Sequence, residues 1–468
     1  MAYTHTVNVL EQCRISPPQG SVPQTSLPLT FFDLPILCMP PVQCLYFYEL
    51  QVSKTHFMYS ILPNMKHLLS LTLQHFFPFV GNLTWSPQSS KPEIVFVDGD
   101  SVLFTAAESN FNFNHLCGNY PRDVNEFSPL VNPLLPLPNA PYPLFALRVT
   151  LFQNSGISVG YSFSHVVADG MAGNHFMRVW GSVCSSLSGD TGLLSHSLPD
   201  YDRTMINDPF GIETTTLNDL KTINITQQSF ILPCTPTDPS DKVVATFIID
   251  LPKVEKLKKW VLRWFLEKAK KEPPFSLTTL VISCAYVWVC LVRALEGVDA
   301  LSNVREHFLL PVDVRTRLDP PLPETYFGNC LMYSFTSIEK NDLLGENGLA
   351  LAAEVIAKAN PTIGINVLNG AENVLTNLSL ARSERFVGIS GSPKLRVYDV
   401  NFGWGKPKKI EIISSTATYG FVTLCERGDA AKGLEIGIAL KKVEMDAFVS
   451  VFEDTLKTEK YFLHNSRL

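Results

Sequence analysis

The chain is short of the features that would place it in a membrane or on a nucleic acid. No apolar stretch reaches the ~20 residues a spanning helix needs. The opening "MAYTHTVNVLEQCRIS" has neither the charged start nor the apolar run of a secretory signal. Charge is close to balanced, with 38 basic and 44 acidic residues and a formal net charge of -6, so there is no basic footprint for nucleic acid. Phosphate-cradling loops are missing as well: no G-x-x-x-x-G-K-[ST] occurs and no G-x-G-x-x-G follows a strand. No G-x-S-x-G elbow is read in the chain, which counts against an α/β-hydrolase. The ten cysteines contain no CxxC pair and sit mostly in apolar runs. They read as buried free thiols of a reducing compartment, and the expected location is cytoplasmic.

What is present is a long, core-forming chain. Its 468 residues are 46% hydrophobic and 18% charged, enough for two domains of ordinary size. The 33 prolines imply many turns, and the 30 phenylalanines could line a cavity. Strand-like and helix-like periods are interspersed in both halves, so the class is α/β (α+β). Residues 186 to 245 have weak periodicity, and "CTPTDPSDK" is the clearest linker. The expected domains are therefore 1–235 and 236–468.

Several segments set expectations for local structure. "LPNMKHLLSLTLQHFFPFVGNL" reads as a helix stopped by Pro78, with Met65, Leu68, Leu69, Leu71 and Leu73 on its apolar face. "LFALRVTLFQNSGISVGYSFSH" reads as two strands joined at "QNSG". In the second of these, Ile157, Val159, Tyr161 and Phe163 alternate with Ser158, Gly160, Ser162 and Ser164, giving one apolar and one small face. After Gly170 the period becomes helical at Ala172, Phe176, Val179, Trp180 and Val183. "KVEKLKKWVLRWFLEKAKK" is a basic amphipathic helix, and "SLTTLVISCAYVWVCLVRAL" a buried one that Ser276 could cap.

His165 stands where the strand gives way to the helix, in "HVVADG". A neutral imidazole there can take a proton from a hydroxyl, and small neighbours leave room for a substrate. A satisfied core histidine is the bland alternative. With no second histidine or cysteine close by, a zinc site is a poor reading, and no metal is expected.

Three motifs then point to one family. "HVVADG" at 165–170 matches the HxxxD signature of the plant BAHD acyl-CoA-dependent acyltransferases. "NFGWGKP" at 401–407 matches their DFGWG signature except at its first residue. "YFGNC" at 326–330 resembles a motif of the branch that acylates anthocyanins and other flavonoid or phenolic glucosides. "LPLTFFDL", "CAYVWVC" and "PVDVRTRLDPPLPETYFGNC" lie among them in the family's order. The resemblance implies two chloramphenicol-acetyltransferase-like domains with a solvent channel between them. The small face ahead of His165 would then line that channel.

It also implies a chemistry. His165 would act as general base in direct transfer from acyl-CoA, a co-substrate, with no other cofactor. Asp169 invites a triad reading in which its carboxylate orients the imidazole; the resemblance implies instead that it turns away to hold an arginine, and Gly170 would permit the turn. The loop of Asn401, Phe402, Gly403, Trp404 and Gly405 would be structural. There the family's aspartate would pair with Arg315 or Arg317, and Asn401 carries no charge to do so. Malonyl is the branch's frequent donor, and its free carboxylate suits Arg178; a surface arginine is the alternative. Thr278 and Thr279 align with a pair that contacts acyl-CoA in relatives, or are simply helix-start hydroxyls. The lysines of the basic helix could steer CoA phosphates, or form a solvated face. A hydroxycinnamoyl donor, and a weakened relative that only binds, stay open as alternatives. A monomer with small-molecule substrates and no membrane or nucleic-acid partner is expected. Ser466-Arg467-Leu468 resembles a peroxisomal address.

Overall fold

A computed structural model of the chain describes residues 5–457 apart from 87, 135–141, 187–197, 226–240, 269, 271, 297–304, 361–364, 378–384, 415–419 and 430. The expected boundary at 235/236 and the C-terminal Ser466, Arg467 and Leu468 lie outside the described residues.

The first half supplies β1 (Val7–Ile15), β2 (Val42–Glu49), β3 (Val102–Ser109), β4 (Phe145–Phe152) and β5 (Gly156–Phe163). The second half supplies β6 (Lys242–Asp250), β7 (Arg305–Asp313), β8 (Leu331–Glu339), β9 (Phe386–Ser390), β10 (Lys409–Ile412), β11 (Phe421–Glu426) and β12 (Gly433–Lys441). One sheet runs in the order β1-β3-β4-β5-β2-β10. The other runs β8-β7-β9-β11-β12-β6 and ends on the short strand Arg122–Asp123. A smaller third sheet joins Thr25–Pro28, Glu93–Phe96, Asn82–Thr84 and Tyr142–Pro143. Each large sheet has its own hydrophobic core.

The halves also exchange edges. β10, from the C-terminal half, pairs antiparallel with β2, Lys409 opposite Phe47 and Ile412 opposite Cys44. Conversely, Arg122 and Asp123 pair with Val244 and Val243 of β6. Val397, Val400 and Phe402 accordingly pack into the first core, and Phe31, Phe32 and Ile212 into the second.

β4 and β5 form the expected hairpin, in full register from Phe152 opposite Gly156 to Phe145 opposite Phe163. Asn154 in its turn takes a φ of 58°, a left-handed value that asparagine tolerates. The small face of β5 differs from expectation. Ser158 and Ser162 are fully buried, and the Ser162 hydroxyl donates to the Asn132 carbonyl at 2.5 Å. A Cβ on Gly160 would collide with the Leu130 carbonyl. This face is small because the 130–132 segment lies on it, so it packs rather than lines a channel. Residues 156–160 do spell G-x-S-x-G, but mid-strand with Ser158 sealed in, not at a strand-to-helix turn.

The helix expected to end at Pro78 is α1 (Leu62–Leu73), continuing Lys54–His56 through a π turn at Phe57–Ile61. Its stop is earlier than predicted. The amides of His75 and Phe76 already bond to Thr72 and Leu73 in tight turns, and Pro78 belongs to the separate 3-10 turn Phe77–Phe79. Met65, Leu68, Leu69 and Leu73 are buried and Leu71 half-buried. α2 (Gly170–Ser185) buries Ala172, Phe176, Val179, Trp180 and Val183 as the spacing predicts.

On the second sheet lie α3 (Leu251–Lys268) and α4 (Thr279–Leu295). α3 buries Val254, Leu257, Val261 and Phe265 and exposes Lys256 and Lys259. α4 is buried all round, from Val281 to Leu295 except Arg293. Its cap is Thr278, whose Oγ1 accepts from the Val281 amide at 3.2 Å. Ser276 starts too early for that role, with buried Leu277 between it and the helix. Cys13, Cys44, Cys117, Cys184, Cys284, Cys290, Cys330 and Cys425 are free thiols. No helix among the described residues is long and apolar enough to cross a membrane.

Gly160→Ala tests the packed face of β5. The added methyl has no space without backbone movement, so a loss of about 1–3 kcal/mol is expected in denaturant unfolding. A channel-lining position would accept the methyl with no measurable change.

Candidate active site

β5 ends at Phe163, and residues 164–169 turn the chain into α2. His165 sits in this turn. The residue is half-buried, and its Nδ1 is fully covered. Burial lowers its pKa from the ordinary imidazole value, and its own backbone carbonyl, the Asp169 charge, the Asn329 side chain and the Asp33 charge only partly oppose that. The ring is therefore neutral at pH 7 and able to accept a proton.

Asp169 is fully buried and fully engaged. Its Oδ1 accepts the Ala172 amide at 3.0 Å and so caps α2. The Cys330 amide donates to its Oδ2 at 3.1 Å. Arg315, just beyond β7, grips both oxygens, Nη1 to Oδ2 at 2.8 Å and Nη2 to Oδ1 at 3.0 Å. Burial disfavours the Arg315 charge, but Asp169 and Asp313 more than offset this, and its pKa lies above the ordinary value. The guanidinium also donates to the Gly328 carbonyl at 3.0 Å and the Tyr326 carbonyl at 3.3 Å. A carboxylate so occupied is a joint between the halves, not an orienter of the imidazole.

A second buried carboxylate lies on the other side of the turn. Asp33, of "LTFFDL", closes its own turn by accepting from the Thr30 amide at 2.8 Å and the Thr30 hydroxyl at 2.9 Å. Arg203 donates to the same oxygen. Asp33 Oδ1 accepts from Asn329 twice, from its amide at 3.1 Å and its side-chain NH2 at 3.0 Å. The Asn329 NH2 also reaches the carbonyls of His165 at 3.0 Å and Val166 at 3.3 Å. Sequence reasoning quoted the strings that hold Asp33 and Asn329 but gave neither residue a role, and it missed Arg203. Two quoted strings that each carry a buried polar residue were the only signal.

The other expected site residues are elsewhere. Asn401 does not meet Arg315 or Arg317. Its Oδ1 accepts the amides of Gly403 at 2.9 Å and Gly405 at 3.0 Å, closing its own loop. Arg315 is committed to Asp169, and Arg317 donates to Asn360 at 3.0 Å. The loop glycines have φ of 92° and 87°, values that suit only glycine. Phe402 meets Trp180 edge-on at 4.8 Å, and Trp404 meets Tyr48 at 5.4 Å, so the loop is packed against α2 and β2. Arg178 lies half-buried on α2, with Nη1 on the Leu395 carbonyl at 2.7 Å. Burial lowers its pKa, and Arg396 adds to that. Thr278 is exposed and Thr279 half-exposed at the start of α4. A small recess between α4 and the second sheet, lined in part by Leu291, Arg385 and Phe421, contains none of these residues. Among the described residues no three His, Cys, Asp or Glu side chains group as a metal would need.

Comparison with known proteins gives a consistent picture. The model of the Transferase family matches residues 5–455. A malonyl-coenzyme A:anthocyanin 3-O-glucoside-6''-O-malonyltransferase of Dahlia pinnata is 38% identical over 97% of this chain and 98% of its own. A coumaroyl-CoA:anthocyanidin 3-O-glucoside-6''-O-coumaroyltransferase of Arabidopsis thaliana is 36% identical over 98% of this chain and 99% of its own. Among solved structures, vinorine synthase superposes with a TM-score of 0.68 over 95% of this chain and 98% of its own, at 17% identity. That last likeness concerns the fold.

Asp169→Ala would leave Arg315 buried with only the partly exposed Asp313 as counter-charge. Breaking a buried pair from one side costs about 3–5 kcal/mol. A loss of that size, read by denaturant unfolding, is expected.

Proposed function

Because the chain belongs to the Transferase family, the BAHD acyl-CoA-dependent acyltransferases, we propose that it transfers an acyl group, malonyl in the first place, from acyl-CoA to a sugar hydroxyl of an anthocyanin, flavonoid or other phenolic glucoside. The observation that carries the reading is His165. It is a neutral, half-buried imidazole at the junction of the two halves, beside an aspartate already committed to an arginine. Residues 1–235 and 236–468 are taken as the two domains, with the acyl-CoA and the acceptor approaching His165 from opposite faces.

The chemistry follows from the ring's charge state. Nε2 of His165 removes the proton from the sugar hydroxyl as that oxygen attacks the thioester carbonyl. The new C–O bond gives a tetrahedral oxyanion. Its collapse breaks the C–S bond, and the departing thiolate takes the proton back from the imidazolium. The products are the ester and free CoA, and no further cofactor is invoked. General-base assistance of this kind is worth roughly 10²–10⁴-fold, and alignment of two bound substrates adds to it.

A coumaroyl or related hydroxycinnamoyl donor is the second reading. It is favoured by Arg178, whose guanidinium is already bonded to the Leu395 carbonyl rather than standing open for a donor carboxylate. The aromatic-acyl relative from Arabidopsis, at 36% identity, supports the same alternative.

A donor competition separates the two. Purified protein receives equimolar malonyl-, acetyl- and coumaroyl-CoA with anthocyanin, flavonol and simple phenolic glucosides, and products are read by mass. A malonyl ester is expected; a coumaroyl ester alone would move the reading to the second donor. His165→Ala should abolish turnover of the winning pair while the melting temperature holds. The acid limb of the kcat/KM profile should lie below the ordinary histidine value of about 6.5, because burial disfavours the charged ring.

A further inference from the structure

A chain of three side chains stands on the 115–126 segment, outside the residues gathered at the HxxxD turn. The Tyr120 hydroxyl is 3.0 Å from Nδ1 of His115, and Nε2 of the same ring is 2.9 Å from a carboxylate oxygen of Glu126. An ionised carboxylate can only accept, so in the neutral ring the proton sits on Nε2 and Nδ1 is bare. The Tyr120 O–H then donates to Nδ1. A hydroxyl, a base within reach of its proton and a third group that orients the base form the general pattern of an activated nucleophile, and tyrosine is among the side chains that can serve as one.

The frame that carries these residues is held by other contacts. Asn112 Oδ1 accepts the His115 amide at 3.0 Å and starts the helical turn Phe113–Leu116. Buried Arg122 donates to the Leu116 carbonyl at 2.5 Å and to the Tyr120 carbonyl at 3.2 Å, and is paired with Glu411 at 2.7 Å. Asp123 caps the turn Val124–Glu126 by accepting the Asn125 amide at 2.9 Å. Arg122 and Asp123 pair with β6, which ties the frame to the second sheet. The Tyr120 ring lies against Gly118, where a Cβ would collide with it. The segment is thus fixed without help from the phenol hydroxyl. Exposure falls along the chain of three, from 51% for Tyr120 to 35% for the His115 side chain and 20% for that of Glu126. The nucleophile is open to a reagent, and the group that orients the base is the most covered.

We propose that Tyr120 is the nucleophile of a second covalent site, which takes an acyl group from activated esters and thioesters. The phenol oxygen attacks the acyl carbonyl while its proton passes to Nδ1 of His115. The C–O or C–S bond to the leaving group then breaks, and the leaving oxygen or sulfur takes that proton from the imidazolium. The products are an O-acyl tyrosine and the free alcohol or thiol. Glu126 is a positioning residue: it keeps the other ring proton on Nε2 and stabilises the imidazolium that forms. The site does not rest on the general-base reading of His165.

The probe is p-nitrophenyl acetate, given to the intact protein, with acetylated peptides quantified by mass against time. Tyr59 is the internal control, because at 83% it is more exposed than Tyr120. In wild type Tyr120 should acetylate faster than Tyr59 despite its lower exposure. His115→Ala should slow Tyr120 on the order of 10²-fold, the scale of lost general-base help, and leave Tyr59 unchanged. Glu126→Ala should slow Tyr120 as well, and Glu126→Gln, which keeps an acceptor for Nε2–H, should restore part of the rate. His165→Ala should change neither tyrosine. A wild-type Tyr120 no faster than Tyr59 would overturn the proposal without recourse to any variant. So would a His115→Ala rate equal to that of wild type. Loss of the Tyr120 label in His165→Ala would overturn the independence of the site.

Discussion

The pairing of Asp169 with Arg315 is the interaction on which the rest of the structure depends. The two residues are 146 positions apart and both are buried. One carboxylate caps α2, receives the Cys330 amide and neutralises an arginine rooted just beyond β7. A charge removed from water needs every lone pair satisfied, and here each is. The pair therefore locates the turn that carries His165 relative to the second sheet. It also withdraws Asp169 from the imidazole, so the ring has to be oriented by something else.

The "YFGNC" segment acquires a physical meaning in this setting. Tyr326 lies beneath both arginines, its ring 5.9 Å from Arg203 and 5.6 Å from Arg315. Phe327 enters the first core, edge-on to Phe79 at 5.2 Å and to Phe76 at 5.6 Å. Gly328 has a φ of 149°, and a Cβ there would press on Arg203 and the Tyr326 hydroxyl. Asn329 reaches the His165 carbonyl, and the Cys330 amide reaches Asp169. Five consecutive residues thus meet, in turn, the cations, the aromatic core, a space with no room for a side chain, the histidine turn and the buried carboxylate.

Much of the local structure was legible because it is set by short-range periodicity. The β4–β5 hairpin, the change of period at Gly170 and the all-round burial of α4 each follow from neighbours in sequence. What was illegible concerns partners distant in sequence. The small face of β5 looked like open space because glycine and serine suit both a cavity wall and a tightly packed surface, and only the 130–132 segment decides between them. Arg315 or Arg317 was expected to meet the position of Asn401, since nothing in the chain says which of two acidic-motif sites an arginine there joins. Asn401 turned out to use its oxygen locally, on Gly403 and Gly405, where an amide serves as well as a carboxylate. Asp33 and Arg203 carried no visible mark, because a buried ion pair is spelled with the same letters as an exposed one.

The exchanged edge strand has a consequence for how the protein is made. β2 lies inside the finished first sheet only because β10 covers it. A chain emerging from the ribosome completes β1 to β5 by residue 163, yet it cannot close that sheet until residue 412 has been added. Throughout that interval a strand with the buried residues Cys44, Leu45, Tyr46, Phe47 and Tyr48 presents an unpaired hydrogen-bonding edge. Such an edge is a template for pairing with another chain. A truncation before β10 therefore leaves a sheet with an open edge rather than an independent domain.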